Sequence, residues 1–213
     1  MKRPEPRRSR RIPAQAPHRV VDQAASLLLD YPTAALTARL PMLAAALAEQ
    51  PRDPAVQHLT GFVDRVRDEA LPDLARHYVE TFDLRRKSCL YLTYYADGDT
   101  RRRGVTLVRL KQYYRRAGFE FGAADLPDFL PVVLEFGAAT GDRSLLTRHV
   151  LGLHLIRLGL VEVDSPYRMV LDGILSTLPG PTPKDRDAVL ALARSGPPQE
   201  DVGLEPFPTG GGR

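Results

Sequence analysis

Apolar residues recur every three to four positions over most of the chain, which is the spacing of helices with one buried face. Val20-Val21, Ala24-Ala25 and Leu27-Leu28 predict a helix that stops before Pro32. Val56, Leu59, Phe62-Val63 and Val66 predict a second, with Asp53 as N-cap and Pro54 in the first turn, where a missing N–H costs nothing. Leu74, Tyr78 and Phe82 continue the period after Pro72, while Arg76 and Glu80 stand one turn apart on the other face, close enough to pair. Val105, Leu107, Val108 and Leu110 begin a helix that runs to Gly118, a C-cap residue. Leu145-Leu146, Val150, Leu153 and Ile156 predict one helix ending near Gly159. Val170-Leu171, Ile174-Leu175 and Leu178 give another, and residues 185–194 a last short one. Strand-like runs are confined to residues 90–95 and 161–163, and no internal repeat is present. The pattern predicts an all-α fold, a single helical domain of about eight helices over residues 18–195.

The ends read differently. Residues 1–19 carry seven basic side chains against Glu5 alone, a net +6, and the remaining 23 basic and 25 acidic residues leave the rest of the chain at −2. The alkaline isoelectric point of about 9.4 therefore belongs to a tail. Of 19 prolines, four lie in residues 1–17, four in 197–208, and three at Pro179, Pro181 and Pro183, so most mark ends rather than helix interiors. Residues 1–17, a basic tail, and 196–213, a Pro/Gly-rich tail, hold too few large apolar groups to offset ordering entropy and are expected to be disordered. The arginine pairs near the start are followed by Ile12-Pro13-Ala14-Gln15-Ala16-Pro17, not by the apolar stretch an export signal needs, so a cytoplasmic location is expected. Cys89 is the only cysteine, which excludes an intramolecular disulfide and a cysteine-based zinc site.

Catalytic signatures are missing. The chain lacks a phosphate-cradling Gly-rich loop followed by Lys-Ser/Thr, a GxGxxG run and a GxSxG elbow. His149 and His154 would diverge by about 140° around a helix, whereas a metal pair needs neighbours on one face. Asp97-Gly98-Asp99 lacks the later ligands of a calcium loop and reads as a turn, with Asp99 or Thr100 capping the next helix. Cys89 has no base nearby in sequence. Neither enzyme activity, a metal site nor a resident cofactor is expected.

The centre of the chain carries a recognisable pattern. His77-Tyr78-Val79-Glu80-Thr81-Phe82-Asp83 is followed by Ser88-Cys89-Leu90-Tyr91-Leu92 and by Asp97-Gly98-Asp99-Thr100-Arg101-Arg102-Arg103-Gly104. Tyr113-Tyr114, Gly118-Phe119 and Asp125-Leu126-Pro127-Asp128-Phe129-Leu130-Pro131 follow, running into Leu134-Glu135-Phe136. In this order these segments resemble the nitrate reductase delta subunit family, the NarJ-type molybdenum cofactor assembly chaperones related to the TorD-like chaperones. The resemblance spans roughly residues 18–178. It implies an all-helical cytoplasmic chaperone that binds the apo catalytic subunit of respiratory nitrate reductase, including its N-terminal peptide. Cofactor insertion would then precede membrane attachment. It also implies that the protein is not itself part of the finished enzyme; a monomer with no stable membrane insertion is expected. Phe129 stands where the family usually has His, and Asp97 where it often has His or Tyr, so roles of those histidines do not carry over.

A peptide chaperone needs an apolar groove with a few rim charges. Tyr78, Phe82, Leu92, Tyr114, Leu126, Pro127, Asp128, Phe129, Leu130, Pro131, Leu134 and Glu135 are the candidate client-binding residues. In the 126–131 block, Pro127 and Asp128 fit a first helical turn capped by Asp125, and Pro131 can kink or open that start. Asp128 and Glu135 would meet basic client residues. Arg101 and Arg103 are candidates for polar contact with client or cofactor, against the plainer reading of a solvated face. Two alternatives stay open: a chaperone of a different molybdoenzyme, and a helical nucleic-acid-binding regulator. The net charge of −2 outside residues 1–19 argues against the latter.

Overall fold

The computed structural model describes residues 18–120 and 126–198. Twelve α-helices and no strand are present among them. In chain order they are α1 (Arg19–Leu28), α2 (Ala34–Thr37), α3 (Leu40–Ala48), α4 (Pro54–Val66), α5 (Leu71–Tyr78), α6 (Leu92–Asp97), α7 (Arg101–Arg116), α8 (Leu130–Thr140), α9 (Ser144–Arg148), α10 (Val150–Glu162), α11 (Arg168–Ser176) and α12 (Pro183–Ser195). The all-α expectation holds. The count exceeds eight because α2, α6 and α9 are too short to show a period, and because the chain breaks at His149, dividing the helix predicted over 145–159 into α9 and α10. The disorder expected of residues 1–17 and 199–213, and the cap role of Asp125, fall outside the described residues.

The core is a stack of helix pairs. α1 lies along α8, α4 along α11, and α10 packs on α11. Leu28, Leu59, Leu134, Ile156, Val170 and Leu171 meet in it with almost no exposed surface. Several local signals act as read. Asp53 accepts the Val56 N–H at 2.9 Å, with Pro54 in the first turn of α4. Gly118 follows the end of α7 with φ of 89°, a left-handed position that glycine adopts without cost, and the Phe119 N–H returns to the Tyr114 carbonyl. Thr182 and Asp185 form a reciprocal capping box on α12.

Other readings are corrected. Arg76 pairs with Asp73 at 2.7 Å instead of Glu80, because the helix widens after Tyr78 into a π turn over Val79–Asp83 that breaks four-residue spacing. The strand candidate at 161–163 is the last turn of α10. That at 90–95 is mostly α6, and only Tyr91 makes a bridge, to Phe129. Pro127 and Asp128 lie in a turn ahead of α8, whose N-cap is Phe129. Pro131 occupies the first turn of α8, so it starts the helix without kinking it.

Candidate functional site

Three segments distant in sequence meet around one cleft. The chain leaving α1 brings Asp30 and Tyr31, the end of α5 with its π turn brings Tyr78, Phe82 and Asp83, and the bridge brings Leu90, Tyr91 and Phe129. Together they line a cleft of about 190 Å³. Its walls are aromatic. The Tyr31 ring stands edge-on to Tyr78 at 5.4 Å, Tyr78 and Phe82 are 4.8 Å apart, and Tyr91 and Phe129 are 5.4 Å apart. Tyr31 and Tyr91 are 47% and 36% exposed, so the cleft keeps aromatic surface open among the described residues. Asp30 and Asp83 are exposed at its rim. The chemistry is that of a recognition surface: ring faces for apolar side chains, carboxylates for flanking cations.

Each wall is held from behind. The Tyr78 hydroxyl donates to the Leu29 carbonyl at 3.1 Å, and the ring packs against Tyr167 below. Burial pushes the Tyr78 phenol far up, so it remains a neutral donor. The π turn, closed by the Leu84 N–H on the Val79 carbonyl, rotates Phe82 out of strict register and onto both Tyr78 and Tyr167. The opposite wall hangs on two backbone bonds: Leu92 N–H to the Asp128 carbonyl at 2.9 Å and Leu130 N–H to the Leu90 carbonyl at 2.8 Å. Alternation across this bridge turns Leu90 and Leu92 inward and leaves Tyr91 outward.

Under that wall lies a buried charge. Asp128 is 1% exposed, and its Oδ2 accepts from the Thr93 hydroxyl, the Thr93 N–H and, at 3.2 Å, the Arg103 guanidinium. Oδ1 has no partner among the described residues. Arg103 also donates to the Thr93 hydroxyl at 3.2 Å and lies 5.6 Å from the Tyr91 ring centroid, a cation–π distance. One guanidinium thus ties α7, the turn before α8 and the outward Tyr91 together. Burial raises the Tyr91 phenol, and the Asp128 carboxylate adds to this.

Of the twelve residues expected to bind a client, the cleft gathers Tyr78, Phe82 and Phe129. Leu92, Tyr114, Leu130 and Leu134 are buried in the core, because the bridge and α8 turn them inward. Pro127 and Pro131 are buried as well, Pro127 lending its carbonyl to the Tyr114 hydroxyl. Asp128 is an internal ion-pair partner and cannot meet a client from the rim, and Arg103 is spent on it. Leu126 and Glu135 are exposed outside the cleft, as is Arg101. Tyr31, Asp30, Asp83, Leu90 and Tyr91 are additions. Asp83, Leu90 and Tyr91 fall within the segments that carry the family resemblance, and Leu90-Tyr91-Leu92 also alternates like a strand, whereas Asp30 and Tyr31 carry no such signal.

A larger cleft of about 300 Å³ runs between α10 and α12, lined by Leu155, Leu158 and Leu192, with Lys87 and Glu162 paired across it at 2.9 Å. It presents no aromatic face beyond Tyr95, whose hydroxyl is committed to the Lys87 and Cys89 carbonyls. No group of three or more His, Cys, Asp or Glu could hold a metal ion among the described residues, and no described helix is long and apolar enough to cross a membrane.

Comparison with known proteins places these features in context. The family described as nitrate reductase delta subunit matches residues 34–170, a range that includes Tyr78, Phe82, Tyr91 and Phe129. A probable nitrate reductase molybdenum cofactor assembly chaperone NarJ of Bacillus subtilis (strain 168) is 34% identical over 158 residues, covering 73% of this chain and 86% of that protein. The nitrate reductase-like protein NarX of Mycobacterium tuberculosis (strain ATCC 25618 / H37Rv) is 37% identical over 162 residues, of which this chain covers only 24% of the relative's length. The nitrate reductase molybdenum cofactor assembly chaperone NarJ of Escherichia coli (strain K12) is 34% identical over 115 residues, 52% of this chain and 48% of that protein.

Proposed function

The chain belongs to the nitrate reductase delta subunit family, and from that membership we propose that it is an assembly chaperone, not an enzyme, acting on the apo catalytic subunit of a nitrate reductase. The aromatic cleft between α1, the π turn and the Tyr91–Phe129 bridge takes the N-terminal peptide of that subunit. The observation that carries this reading is the pairing of open ring faces with two rim carboxylates at a point where distant segments converge. Apolar or aromatic client side chains would bury against Tyr31, Phe82, Tyr91 and Phe129, and client cations would meet Asp30 and Asp83. Apolar burial supplies the affinity and the charges the orientation. A bound chaperone keeps the client open for molybdenum cofactor insertion, on the cytoplasmic side and before membrane attachment.

The relatives' printed names support nitrate reductase as the client over another molybdoenzyme. The test is co-expression with an apo catalytic subunit. Wild-type chain should co-purify with it, and a Tyr91→Ala, Phe129→Ala variant that still melts cooperatively should not. Undiminished recovery of the client by that folded variant would remove the cleft from the account.

A further inference from the structure

Helix α7 has sixteen residues, of which only Leu110 and Tyr114 are buried. Seven of its side chains are Arg or Lys and none is acidic, in a chain whose net charge beyond residue 19 is −2. Seven of the 23 basic residues beyond residue 19 thus lie on this one element, with no acidic side chain on it to balance them. At about 100° per residue, Val105, Val108, Arg109, Arg115 and Arg116 fall within one arc of about 120°, opposite Leu110 and Tyr114. Arg103 points inward to Asp128, and Arg102 is 3.8 Å from Asp97, but Arg109, Lys111, Arg115 and Arg116 form no ion pair among the described residues. Val105 and Val108 are 54% and 57% exposed in the middle of the cationic arc.

We propose that the outer face of α7 docks the protein reversibly on an anionic phospholipid surface. Arg109, Arg115 and Arg116 would meet headgroup phosphates while Val105 and Val108 enter the interface. Three features favour lipid over other polyanions. The face is a convex helix about 24 Å long and neither cleft runs along it, so it suits a fluid layer that needs no matching shape. Its cations and exposed valines share one arc, an arrangement that a headgroup layer over hydrocarbon uses in full. The remaining anchor to the core is narrow, so the face can approach a plane without rearranging the fold. The docking face uses none of the residues that line the client cleft, whose wall is supported from the inner side of the same helix by Arg103.

The experiment is co-sedimentation of the full chain with vesicles of phosphatidylcholine alone, and with phosphatidylglycerol added to about a third of the lipid. A cation near such a surface contributes about five-fold to partitioning, so Arg109→Gln, Arg115→Gln, Arg116→Gln should weaken binding to the anionic vesicles about 100-fold at low salt. The corresponding triple Lys variant should retain binding, and all these variants should melt like wild type, since the positions are exposed. Val105→Asn, Val108→Asn should weaken vesicle binding several-fold while leaving any retention of duplex DNA unchanged. Equal binding to neutral vesicles, or undiminished binding by the triple Gln variant with the basic N-terminal residues intact, would overturn the proposal. So would valine variants that bind vesicles like wild type while DNA competes fully, which would mark the face as a general polyanion site.

Discussion

Replacing Arg103 by Ala removes three things at once: the donor to Asp128, the donor to Thr93, and the cation resting on Tyr91. The carboxylate left behind has a side chain with no exposed surface, while that of Arg103 is 19% exposed. Deleting one partner of a buried pair costs about 3–5 kcal/mol, mostly because the other charge is stranded, and the partial exposure of Arg103 places this case near the lower end, about 3 kcal/mol. The reasoning makes a second statement. If the cost is stranded charge, then Asp128→Asn added to Arg103→Ala should restore about half of the loss, since a neutral amide can still accept from Thr93. The chain has no tryptophan, so urea unfolding followed by far-UV circular dichroism is the suitable assay. A loss below about 1 kcal/mol for Arg103→Ala, or a double variant no more stable than the single, would refute the claim that this pair supports the cleft wall.

Three further outcomes are expected. Leu130→Ala should cost about 2–5 kcal/mol in the same assay, because the side chain is fully buried behind the cleft; retained stability with lost client binding would instead make it a contact residue. Burial raises the Asp22 carboxyl to about 6 against the opposing pull of Arg143, so the folded state binds a proton more tightly than the unfolded chain, and this group lowers stability as pH rises from about 4 to 6. Stability of wild type relative to Asp22→Asn should therefore fall by about 2–3 kcal/mol between pH 4 and pH 7, and a difference constant with pH would refute it. Asp30→Asn, Asp83→Asn should leave melting unchanged, weaken a basic client peptide a few-fold at low salt and flatten its salt dependence; identical salt dependence would remove the rim charges from recognition.

The helical fold was legible because periodicity reports which face of a helix is buried, and α4 with its Asp53 cap shows this in full. Short elements such as α6 offer too few turns for a period to emerge. The site was legible only in part. Tyr78, Phe82 and Phe129 lie on segments whose local sequence draws attention, but Tyr31 reaches them from about fifty residues away through the packing of α1, which no local pattern encodes. All six residues of the 126–131 block are candidates for client binding on the sequence alone. Its bridge to Tyr91 instead turns Leu130 inward and seals Asp128 beneath, leaving Phe129 as the one side chain of the block that lines the cleft. The π turn also left no trace in the sequence, since it inserts one extra residue into an otherwise continuous helix.

The most direct test of the client-binding cleft is calorimetric titration of the full chain with a synthetic peptide from the N-terminus of a nitrate reductase catalytic subunit, at several temperatures, for wild type and Phe129→Ala. Burial of apolar side chains among the rings predicts a negative heat-capacity change for wild type. Loss of the Phe129 ring should weaken the peptide by about 1–2 kcal/mol, within the range of an interface anchor, while the variant stays folded. Unchanged affinity in a folded Phe129→Ala chain, or wild-type binding with no heat-capacity change, would contradict the account.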